Sequence, residues 1–567
     1  MNQRAPQTGH PKGLYVLFAT EMWERFNYYG MRAILVLFLT KALAFDKAFA
    51  SSLYGSYTSL VYLTPLIGGF VADRYWGNRK SIIIGGLLMA LGEFLLFGCA
   101  SVYTSSPQLS TFLFFSGLGF MIAGNGFFKP NISSMVGQLY PEGDRRIDAA
   151  YTIFYMGINV GGALGPAICG AVGDTGDPTD FKWSFLAAGI AMLLSVIIFQ
   201  WLKDFYIRRP DGSPLGIRPA DAKEGKAVLT YIGLFVLSAA MIGMLYTDAR
   251  IVPFITYLLV IAVLAIAYMI FSDKKLTKGE KTRILVIFIV AFFVIFFWSA
   301  FEQAGASLTF FADEQTNRML NWNIPVWLIS ALSAALIYLL AKAYLGARKH
   351  LQNDPPGVRY IIYILLAACI GYLLYVNIGF FVTGQTTIFL NEIPASTFQS
   401  LNSIFVVAFA PVFAFLWLKL GKYEPSSPTK MAIGLLLLSI GYLVIAFGVK
   451  DVAPGVKVTM MYLIGMYALH TWGELCLSPI GLALVNKLAP AKFASLLMAV
   501  WFLANAIANK LAGELSALYP DGKTTVFLGY QMSNLYEFFM LFVGMSGVAA
   551  LILFLLTKKL QKMMAAA

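Results

Sequence analysis

The sequence of 567 residues contains few charged side chains and few cysteines. Only 13% of its residues are Asp, Glu, Lys or Arg, whereas soluble domains carry about 25%. With 59% apolar residues, this scarcity of charge excludes an ordinary soluble protein and predicts a polytopic membrane protein. Cys99, Cys169, Cys369 and Cys476 all lie in apolar stretches without a CxxC pair, so neither a disulfide framework nor a metal site is predicted.

The formal net charge of +13 does not indicate nucleic-acid binding, because the basic residues fall mainly in short connections between apolar segments. That distribution is typical of the positive-inside rule of membrane proteins. The sequence also contains no nucleophile constellation, metal cluster or phosphate-binding loop. We therefore expect no enzymatic activity, metal or cofactor, and the missing ATP-binding domain favours an ion gradient as the energy source.

Sixteen segments are long and apolar enough to cross a bilayer, which takes ~20 mostly apolar residues. In the first half, the predicted spans are 14–40, 51–75, 81–103, 109–137, 149–172 and 183–205. The polar stretch 206–226, rich in Pro, Gly and charge, is predicted to be a cytoplasmic linker. The remaining predicted spans are 227–246, 252–272, 283–311, 324–345, 360–383, 397–420, 430–448, 457–486, 493–517 and 533–557.

Lys and Arg residues concentrate in every second connection, which indicates that these connections face the cytoplasm. The intervening connections are nearly free of them, with Arg250, Arg318, Lys450 and Lys457 as the main exceptions. We therefore predict a multi-pass protein of the cell (inner) membrane with both termini in the cytoplasm. The segments 324–345 and 360–383 are also compatible with a peripheral hairpin docked on the bilayer.

The first apolar segment carries the polar run EMWERFNYYG at 21–30. At ~100° per residue, its charged and phenolic side chains and one later arginine share a helix face. They are Glu21, Glu24, Arg25, Tyr28, Tyr29 and Arg32. Each charge costs roughly 2.5–3.5 kcal/mol at a lipid-facing position in mid-membrane, so this face is predicted to look into protein or water. A polar pathway through the membrane is favoured over a short interfacial charge cluster.

Three later stretches carry polar residues within or beside apolar segments. GFVADRYWGNRK at 69–80 contains Asp73 and Arg74, GNGFFKPN at 124–131 contains Lys129, and FYMGINVGG at 154–162 contains Asn159. The first stretch resembles the cytoplasmic gate motif of the major facilitator superfamily, in which two six-helix halves rock around a midplane site. Taken alone, it is also compatible with an ordinary positive-inside loop.

Together with the opening run, the other two stretches resemble the signatures of the proton-dependent oligopeptide transporters (the POT/PTR family), bacterial type. FEQ at 301–303, FQSLN at 398–402, GELCLSP at 473–479 and LAP at 488–490 agree. The resemblance implies an all-α membrane protein with the major facilitator superfamily fold, two six-helix bundles plus inserted helices. The implied domains are an N-terminal bundle at 14–205, the linker at 206–226, two accessory helices at 227–272, a C-terminal bundle at 283–311 and 397–557, and an inserted hairpin at 324–383.

A peptide has a carboxylate and an amine at opposite ends, and the resemblance assigns their recognition to opposed charges. Arg25 can present a planar fork to the carboxylate, Lys129 adds a movable charge, and Glu474 can receive the amine. The other substrate-binding residues that the family implies offer hydroxyl or amide groups or aromatic walls: Tyr29, Tyr62, Asn159, Trp298, Asn402, Ser478 and Trp501. Core packing is the alternative for the two tryptophans.

Proton coupling requires a carboxyl group whose protonation responds to its neighbours. The set that the resemblance implies is Glu21, Glu24, Arg25, Lys129, Arg32 and Glu302. In the family, the two glutamates beside the first arginine couple with the lysine. Glu302 is expected to pair with Arg32 and close the outer gate, while the motif at 69–80 serves the cytoplasmic gate.

This chain departs from animal members of the family, which carry a histidine in the second helix where it has Gly55. A histidine switch is therefore not expected, and His470 is interpreted as an ordinary helix residue. Carboxylates must then carry the proton. Glu93 and Lys510 also lie within apolar segments without an assigned role, although Lys510 is expected to snorkel near the outer boundary.

These observations predict a symporter that uses inward proton flow to import di- and tripeptides by alternating access. We expect it to act as a monomer in the lipid bilayer. A transporter of nitrate or another small anion is one alternative, but such an anion needs no amine partner such as Glu474. A non-transporting peptide sensor is another, and the lack of a soluble signalling domain counts against it.

Overall fold

The computed structural model describes residues 9–219, 224–250, 253–352, 354–453 and 455–565. Each apolar segment of the sequence forms one or two helices. In the first half these are α1 Lys12–Leu37, α2 Lys47–Leu63, α3 Pro65–Val71, α4 Asn78–Val102, α5 Pro107–Gln138, α6 Ile147–Gly173, α7 Phe181–Tyr206, α8 Glu224–Arg250 and α9 Phe254–Phe271.

The second half is built in the same way. Its helices are α10 Lys278–Phe301, α11 Ser307–Glu314, α12 Val326–His350, α13 Pro356–Thr383, α14 Ser400–Leu420, α15 Ser427–Val449, α16 Met460–Leu488, α17 Ala494–Ser516 and α18 Leu535–Met564. Short strands lie in the connections: β1 Thr316–Asn317, β2 Met319–Pro325, β3 Thr387–Glu392, β4 Val458–Thr459, β5 Thr525–Phe527 and β6 Tyr530–Met532.

Within the described ranges, fourteen helices are long and apolar enough to cross a membrane. The segments of α1 and α2 are not among them. Helix α1 is interrupted by the charges of Glu21, Glu24, Arg25 and Arg32, and α2 has only 17 residues. Both helices are nevertheless largely buried among the other helices. Their polar residues therefore contact protein and avoid the cost of facing lipid.

The N-terminal bundle is organised around α1, which packs against α6 and α7, while α4 packs against α5 and α7. Close approach of α1 and α6 requires a residue without a side chain. A β-carbon at Gly161 would lie 2.2 Å from the carbonyl oxygen of Met22. Gly161 of the sequence motif therefore allows the short distance between the helix that carries the polar run and its neighbour.

In the C-terminal bundle, α15 packs against α16 and α18, and α10 packs against α17 and α18. The Tyr442 hydroxyl of α15 donates a hydrogen bond of 2.6 Å to the carbonyl oxygen of Ala300 in α10. The start of α10 is fixed by a capping box between Thr277 and Glu280. This bundle therefore combines apolar packing with a few buried hydrogen bonds.

Two of the predicted spans are broken helices. In 51–75, Pro65 lacks the backbone N–H that a continuous helix needs, and α2 ends at Leu63. In 283–311, the chain passes through a 3₁₀ turn at Glu302–Gly305 before α11 begins. The second break brings the side chain of Glu302 to the end of α10, beside the N-terminal bundle.

The two bundles touch along α2 and α17, and along α6 and α14. At the first contact, a β-carbon at Gly55 would lie 2.7 Å from Cα of Gly513. At the second, the Ser400 hydroxyl donates a hydrogen bond of 2.7 Å to the carbonyl oxygen of Ala163. The helix pair α8–α9 lies beside these bundles, with α8 against α2 and α5 and α9 against α17.

Residues Arg318–Ile393 form a separate compact unit. Its helices α12 and α13 pack against each other, and β2 and β3 form an antiparallel ribbon in which Trp322 pairs with Leu390. Arg318 and Ile393 close the unit through a hydrogen bond from the Ile393 amide to the Arg318 carbonyl, 3.1 Å. The predicted hairpin 324–383 thus lies within a unit that also contains a ribbon not predicted from the sequence.

Candidate functional site

The polar face of α1 is buried in the protein. The side chains of Glu21 and Glu24 are fully buried, and Arg25 is 6% exposed. The Arg25 guanidinium donates two hydrogen bonds to Glu24, 2.5 Å from Nε to Oε2 and 2.6 Å from Nη2 to Oε1. Its Nε also lies 3.3 Å from Glu21 Oε1. One guanidinium is therefore shared between two carboxylates.

Helix α5 supplies the second cation of this group. Lys129 Nζ donates to Glu21 Oε1, and the amide of Asn125 donates to Glu24 Oε1 at 3.4 Å. Two carboxylates and two cations thus form one charge-balanced cluster between α1 and α5. The Lys129 side chain is 29% exposed, against 8% for that of Arg25, so Lys129 is the more exposed of the two cationic residues.

A second buried ion pair connects the two bundles. Arg32 Nη2 of α1 lies 2.6 Å from Glu302 Oε2, at the break between α10 and α11, and both side chains are less than a tenth exposed. The Arg32 guanidinium also lies over the rings of Tyr29 and Tyr54, at 5.7 and 5.8 Å. The predicted contact between Arg32 and Glu302 is present, and its role as a gate stays a prediction.

Glu474 is held on the other side, in the C-terminal bundle. The amide of Asn402 in α14 donates hydrogen bonds to Glu474 Oε2 at 2.8 Å and to Thr471 Oγ1 at 3.1 Å. Both bonds use one amide nitrogen, so the Asn402 side chain connects α14 to α16 next to Glu474. Glu474 then presents a carboxylate with a neutral hydrogen-bond partner.

The Arg32–Glu302 pair and the Asn402–Glu474 pair face a cavity of about 90 Å³ between the bundles. The predicted residues that line it are Tyr29, Arg32, Tyr62, Trp298, Glu302, Asn402 and Glu474. Its wall also includes Phe301, Gln399, Ser403, Tyr467 and His470, which the sequence did not single out as binding residues. Of these, His470 is the one with a visible clue, because it precedes Glu474 by one helical turn.

Other predicted binding residues lie outside the described lining of this cavity. Arg25 and Lys129 belong to the charge cluster, and Asn159 uses its amide in a hydrogen bond of 2.9 Å to the carbonyl of Tyr155. Ser478 is half-buried on α16. Trp501 is 4% exposed and packs against α16, where a β-carbon at Gly481 would lie 2.1 Å from the indole.

Ion pairs close one end of the molecule, which we name the distal end: the end at which α1 and α17 finish and α2 begins. Lys41 lies 2.7 Å from Asp313, and Lys47 lies 2.7 Å from Glu314 and 2.9 Å from Asp521. Each pair joins the N-terminal bundle to the C-terminal one. The bundles are therefore held together at this end.

The predicted gate residues Asp73 and Arg74 are both exposed at the opposite end. The buried cation of this motif is Arg79, which lies 2.6 Å from Asp204 and donates to the carbonyls of Leu215 at 2.5 Å and Ile207 at 2.7 Å. Arg79 therefore ties the start of the predicted linker to α4 and α7. The sequence motif contains this arginine but does not distinguish it from its basic neighbours.

Two further buried carboxylates have partners that the sequence did not suggest. Glu93 of α4 accepts a hydrogen bond of 3.0 Å from the amide of Asn27 in α1. Asp248 of α8 lies 2.8 Å from Nζ of Lys510, which is 2% exposed. The expectation that Lys510 snorkels to a boundary is therefore wrong, because a carboxylate inside the protein neutralises its charge.

Comparison with known protein families identifies the family of this chain. The model described as the POT family (PTR2) matches residues 79–346 and 359–534, which is most of the sequence. The chain belongs to the POT family. Membership in this family of membrane transporters agrees with the α-helical fold and confirms the resemblance that the opening motif suggested.

Curated relatives are similar over nearly the whole chain. An uncharacterized transporter of Bacillus subtilis, YclF, is 32% identical, with 92% of this chain and 90% of the relative covered. The peptide transporter YePEPT of Yersinia enterocolitica is 32% identical, covering 89% and 87%. A di-/tripeptide transporter of Lactococcus lactis subsp. cremoris is 30% identical, covering 90% of each chain.

Solved structures of POT family members share the fold. One is a POT family transporter in complex with a thioalcohol conjugated peptide, with a TM-score of 0.73 and 27% identity, covering 98% of this chain and 97% of the other. Another is a mutant of the peptide transporter POT in complex with alafosfalin, with a TM-score of 0.72 and 28% identity, covering 99% and 97%. The predicted major facilitator architecture with inserted helices is thereby confirmed.

Proposed function

We propose that this POT family protein imports di- and tripeptides together with protons, by alternating access. The observation that carries the proposal is the placement of opposite charges in the two bundles. The α1–α5 cluster of the N-terminal bundle holds the cations Arg25 and Lys129, while Glu474 of the C-terminal bundle offers a carboxylate to the cavity between the bundles, which Tyr29 and Arg32 of α1 also line. Relatives named as peptide transporters and a related structure with a bound peptide conjugate support the same substrate class.

In this proposal a peptide is recognised by its ends. Arg25 and Lys129 attract the carboxylate, and Glu474, held by Asn402, receives the amine. Tyr29, Tyr62 and Asn159 add hydrogen bonds that do not depend on side-chain identity. Trp298 and Trp501 border the peptide's side chains, with Ser478 nearby on α16. Because the contacts address the common parts of peptides, many di- and tripeptides can bind.

Proton coupling follows from the sharing of Arg25. While the guanidinium is paired with Glu24 and Glu21, its positive charge is already balanced by carboxylates, which weakens its attraction for a substrate carboxylate. When one of the glutamates binds a proton, it loses its negative charge and its ion pair with Arg25 is weakened. Arg25 can then turn to the peptide, so proton binding and peptide binding favour each other. The protein changes no covalent bond and acts as a transporter.

The distal end is assigned to the outside of the cell, which places both termini in the cytoplasm. The pair Arg32–Glu302 and the lysine pairs at Asp313, Glu314 and Asp521 then form the closed outer gate. Asp73 and Arg74 lie at the cytoplasmic end and are assigned to the inner gate. A multi-pass monomer in the inner membrane satisfies these assignments.

The test uses the purified protein in liposomes. Glu24→Gln is expected to retain exchange of labelled dipeptide between the two sides but to abolish accumulation driven by an inward proton gradient. The matched control is Glu142→Gln, which changes an exposed glutamate in the loop between α5 and α6. Uphill uptake by Glu24→Gln at the rate of the control would contradict the assignment of Glu24.

The same assay separates the other candidate functions. Gradient-driven accumulation of nitrate without dipeptide would favour an anion transporter. Peptide binding without any accumulation by the wild-type protein would favour a sensor.

A further inference from the structure

A buried amine joins helices from three parts of the molecule. Lys510 Nζ of α17 lies 2.8 Å from Asp248 Oδ2 of α8 and 2.8 Å from the Ser56 hydroxyl of α2. Glu514, one turn along α17, lies at 2.8 Å as well. The side chains of Lys510 and Asp248 are 3% and 0% exposed, so this is an ion pair inside the protein.

Asp248 is held in place from both sides. Its Oδ1 accepts a hydrogen bond of 2.8 Å from the backbone N–H of Ile255, at the start of α9. Its Oδ2 accepts a bond of 2.5 Å from Ser56 as well as the contact with Lys510. The carboxylate therefore connects the end of α8 and the start of α9 to α2, and Lys510 adds α17 to the same point.

This point lies at the distal end, next to the contact of Gly55 in α2 with Gly513 in α17. Ser56 follows Gly55, and Lys510 precedes Gly513 by three residues. The accessory helices lie across that contact, because α8 packs on α2 and α5 while Ile266 of α9 packs on Ala291 and Val500 of the C-terminal bundle. If the bundles move apart at the distal end, the accessory pair cannot keep all of its contacts with both.

We propose that Asp248 and Lys510 form an outer latch, an ion pair that holds the accessory helices and both bundles together while the distal end is closed and that breaks when it opens. The inference rests on the proposed alternating access for its motion. The outer latch gives the accessory helices a part in the transport cycle. Asp248 and Lys510 act as positioning residues for the outer gate. The latch adds to the Arg32–Glu302 pair and lies on different helices.

The arrangement allows the latch to open without stranding a charge. Glu514 belongs to the same helix as Lys510, and its side chain is 43% exposed, so it can stay with the amine when α17 leaves. Ser56 and the Ile255 amide stay with Asp248 on the other side. Each partner of the broken pair thus retains a hydrogen-bond partner, and opening admits water to both.

The experiment measures the distal end directly. Spin labels are placed at Ser105→Cys, in the α4–α5 connection, and at Lys523→Cys, after α17, with the exposed Cys369 changed to Ser. Pulsed electron paramagnetic resonance on the protein in liposomes gives the ratio of long to short distances. Asp248→Asn and Lys510→Met are each expected to raise that ratio roughly tenfold, the loss of one charge-assisted contact.

Because the two residues act as one pair, the double variant is expected to show no more than the larger single effect. Lys492→Met is the matched control, since it removes the ion pair with Asp273 that the same accessory helices make at the opposite end. It is expected to leave the distal distances unchanged. Single variants with wild-type distances, or a double variant whose effect is the product of the two, would overturn the latch.

Ser56→Ala removes one hydrogen bond to Asp248 and is expected to give a smaller shift in the same direction. If the charge variants do not yield monodisperse protein, this variant decides, and wild-type distances for it would overturn the latch. The distances are measured without substrate. A wild-type protein that fails to accumulate dipeptide would therefore contradict the proposed function and leave the distances as a separate result.

Discussion

Gly55→Ala is expected to push the distal end open. The added methyl carbon would lie 2.7 Å from Cα of Gly513 and 3.0 Å from the carbonyl oxygen of Asn509. Carbon atoms in contact prefer about 3.5–4.0 Å, so α2 and α17 must separate by roughly 1 Å. Backbone atoms cannot rotate out of the way, as the end of a side chain can.

The size of the effect follows from the cost of such overpacking, which is typically about 1–3 kcal/mol. The strain exists only while the distal end is closed, so it raises the ratio of open to closed molecules by roughly 5- to 150-fold. The spin-label pair at 105 and 523 measures this ratio, and net dipeptide uptake is expected to fall because closure becomes rarer.

The control for this substitution is Gly544→Ala in α18, where a β-carbon has nothing within 4 Å. Both changes replace a helical glycine by alanine and gain the same helix propensity, about 1 kcal/mol. Only the change at Gly55 introduces a clash. If the two variants show the same distances and the same uptake, the contact of α2 with α17 does not determine closure, and the reasoning is refuted.

Two further predictions concern the cavity and the loops. Glu474→Gln removes a charged hydrogen bond to the peptide amine, worth about 1.5–3 kcal/mol, and is expected to weaken binding of a dipeptide with a free amine by roughly 10- to 150-fold. In competition assays an N-acetylated dipeptide is expected to be nearly unaffected, and equal losses for both ligands would count against the amine site. In the α5–α6 loop, hydrogen bonds from Arg146 lower the pKa of the Asp144 carboxyl to about 2, so this carboxyl stays ionised at the pH of transport. Asp144→Asn is therefore expected to leave the pH profile of uptake unchanged, and a displaced profile would contradict this.

The positions of the helices could be predicted from the sequence because a bilayer demands long apolar segments, and every predicted span corresponds to helix. The breaks were less visible. Pro65 marks one of them, but the turn at Glu302–Gly305 contains no proline and depends on tertiary contacts. The ribbon of β2 and β3 was not predicted either, since its pairing joins strands separated by two helices.

In the candidate site, too, features that depend on neighbouring residues were predictable from the sequence, whereas contacts between distant residues were not. The polar face of α1 follows from helical periodicity, and the contact of Arg32 with Glu302 was expected from the family resemblance. Asp248 was overlooked because it lies just beyond the predicted span 227–246, where a carboxylate is unremarkable. Its partner Lys510 is 262 residues away, and no local pattern connects two such distant charges.

The position of α8 and α9 has a consequence for the surrounding lipid. Two bundles that rock against each other leave a seam on each lipid-facing side. If such a seam widens near the lipid headgroups, acyl chains can enter it and approach the polar cavity. Helices α6 and α14 cover one seam by direct contact. At the other seam, α8 packs against α2 and α5 and α9 packs against α17, so this apolar helix pair covers the seam. While the distal end is closed, lipid therefore meets the apolar outer surface of this helix pair and not the gap between the two bundles.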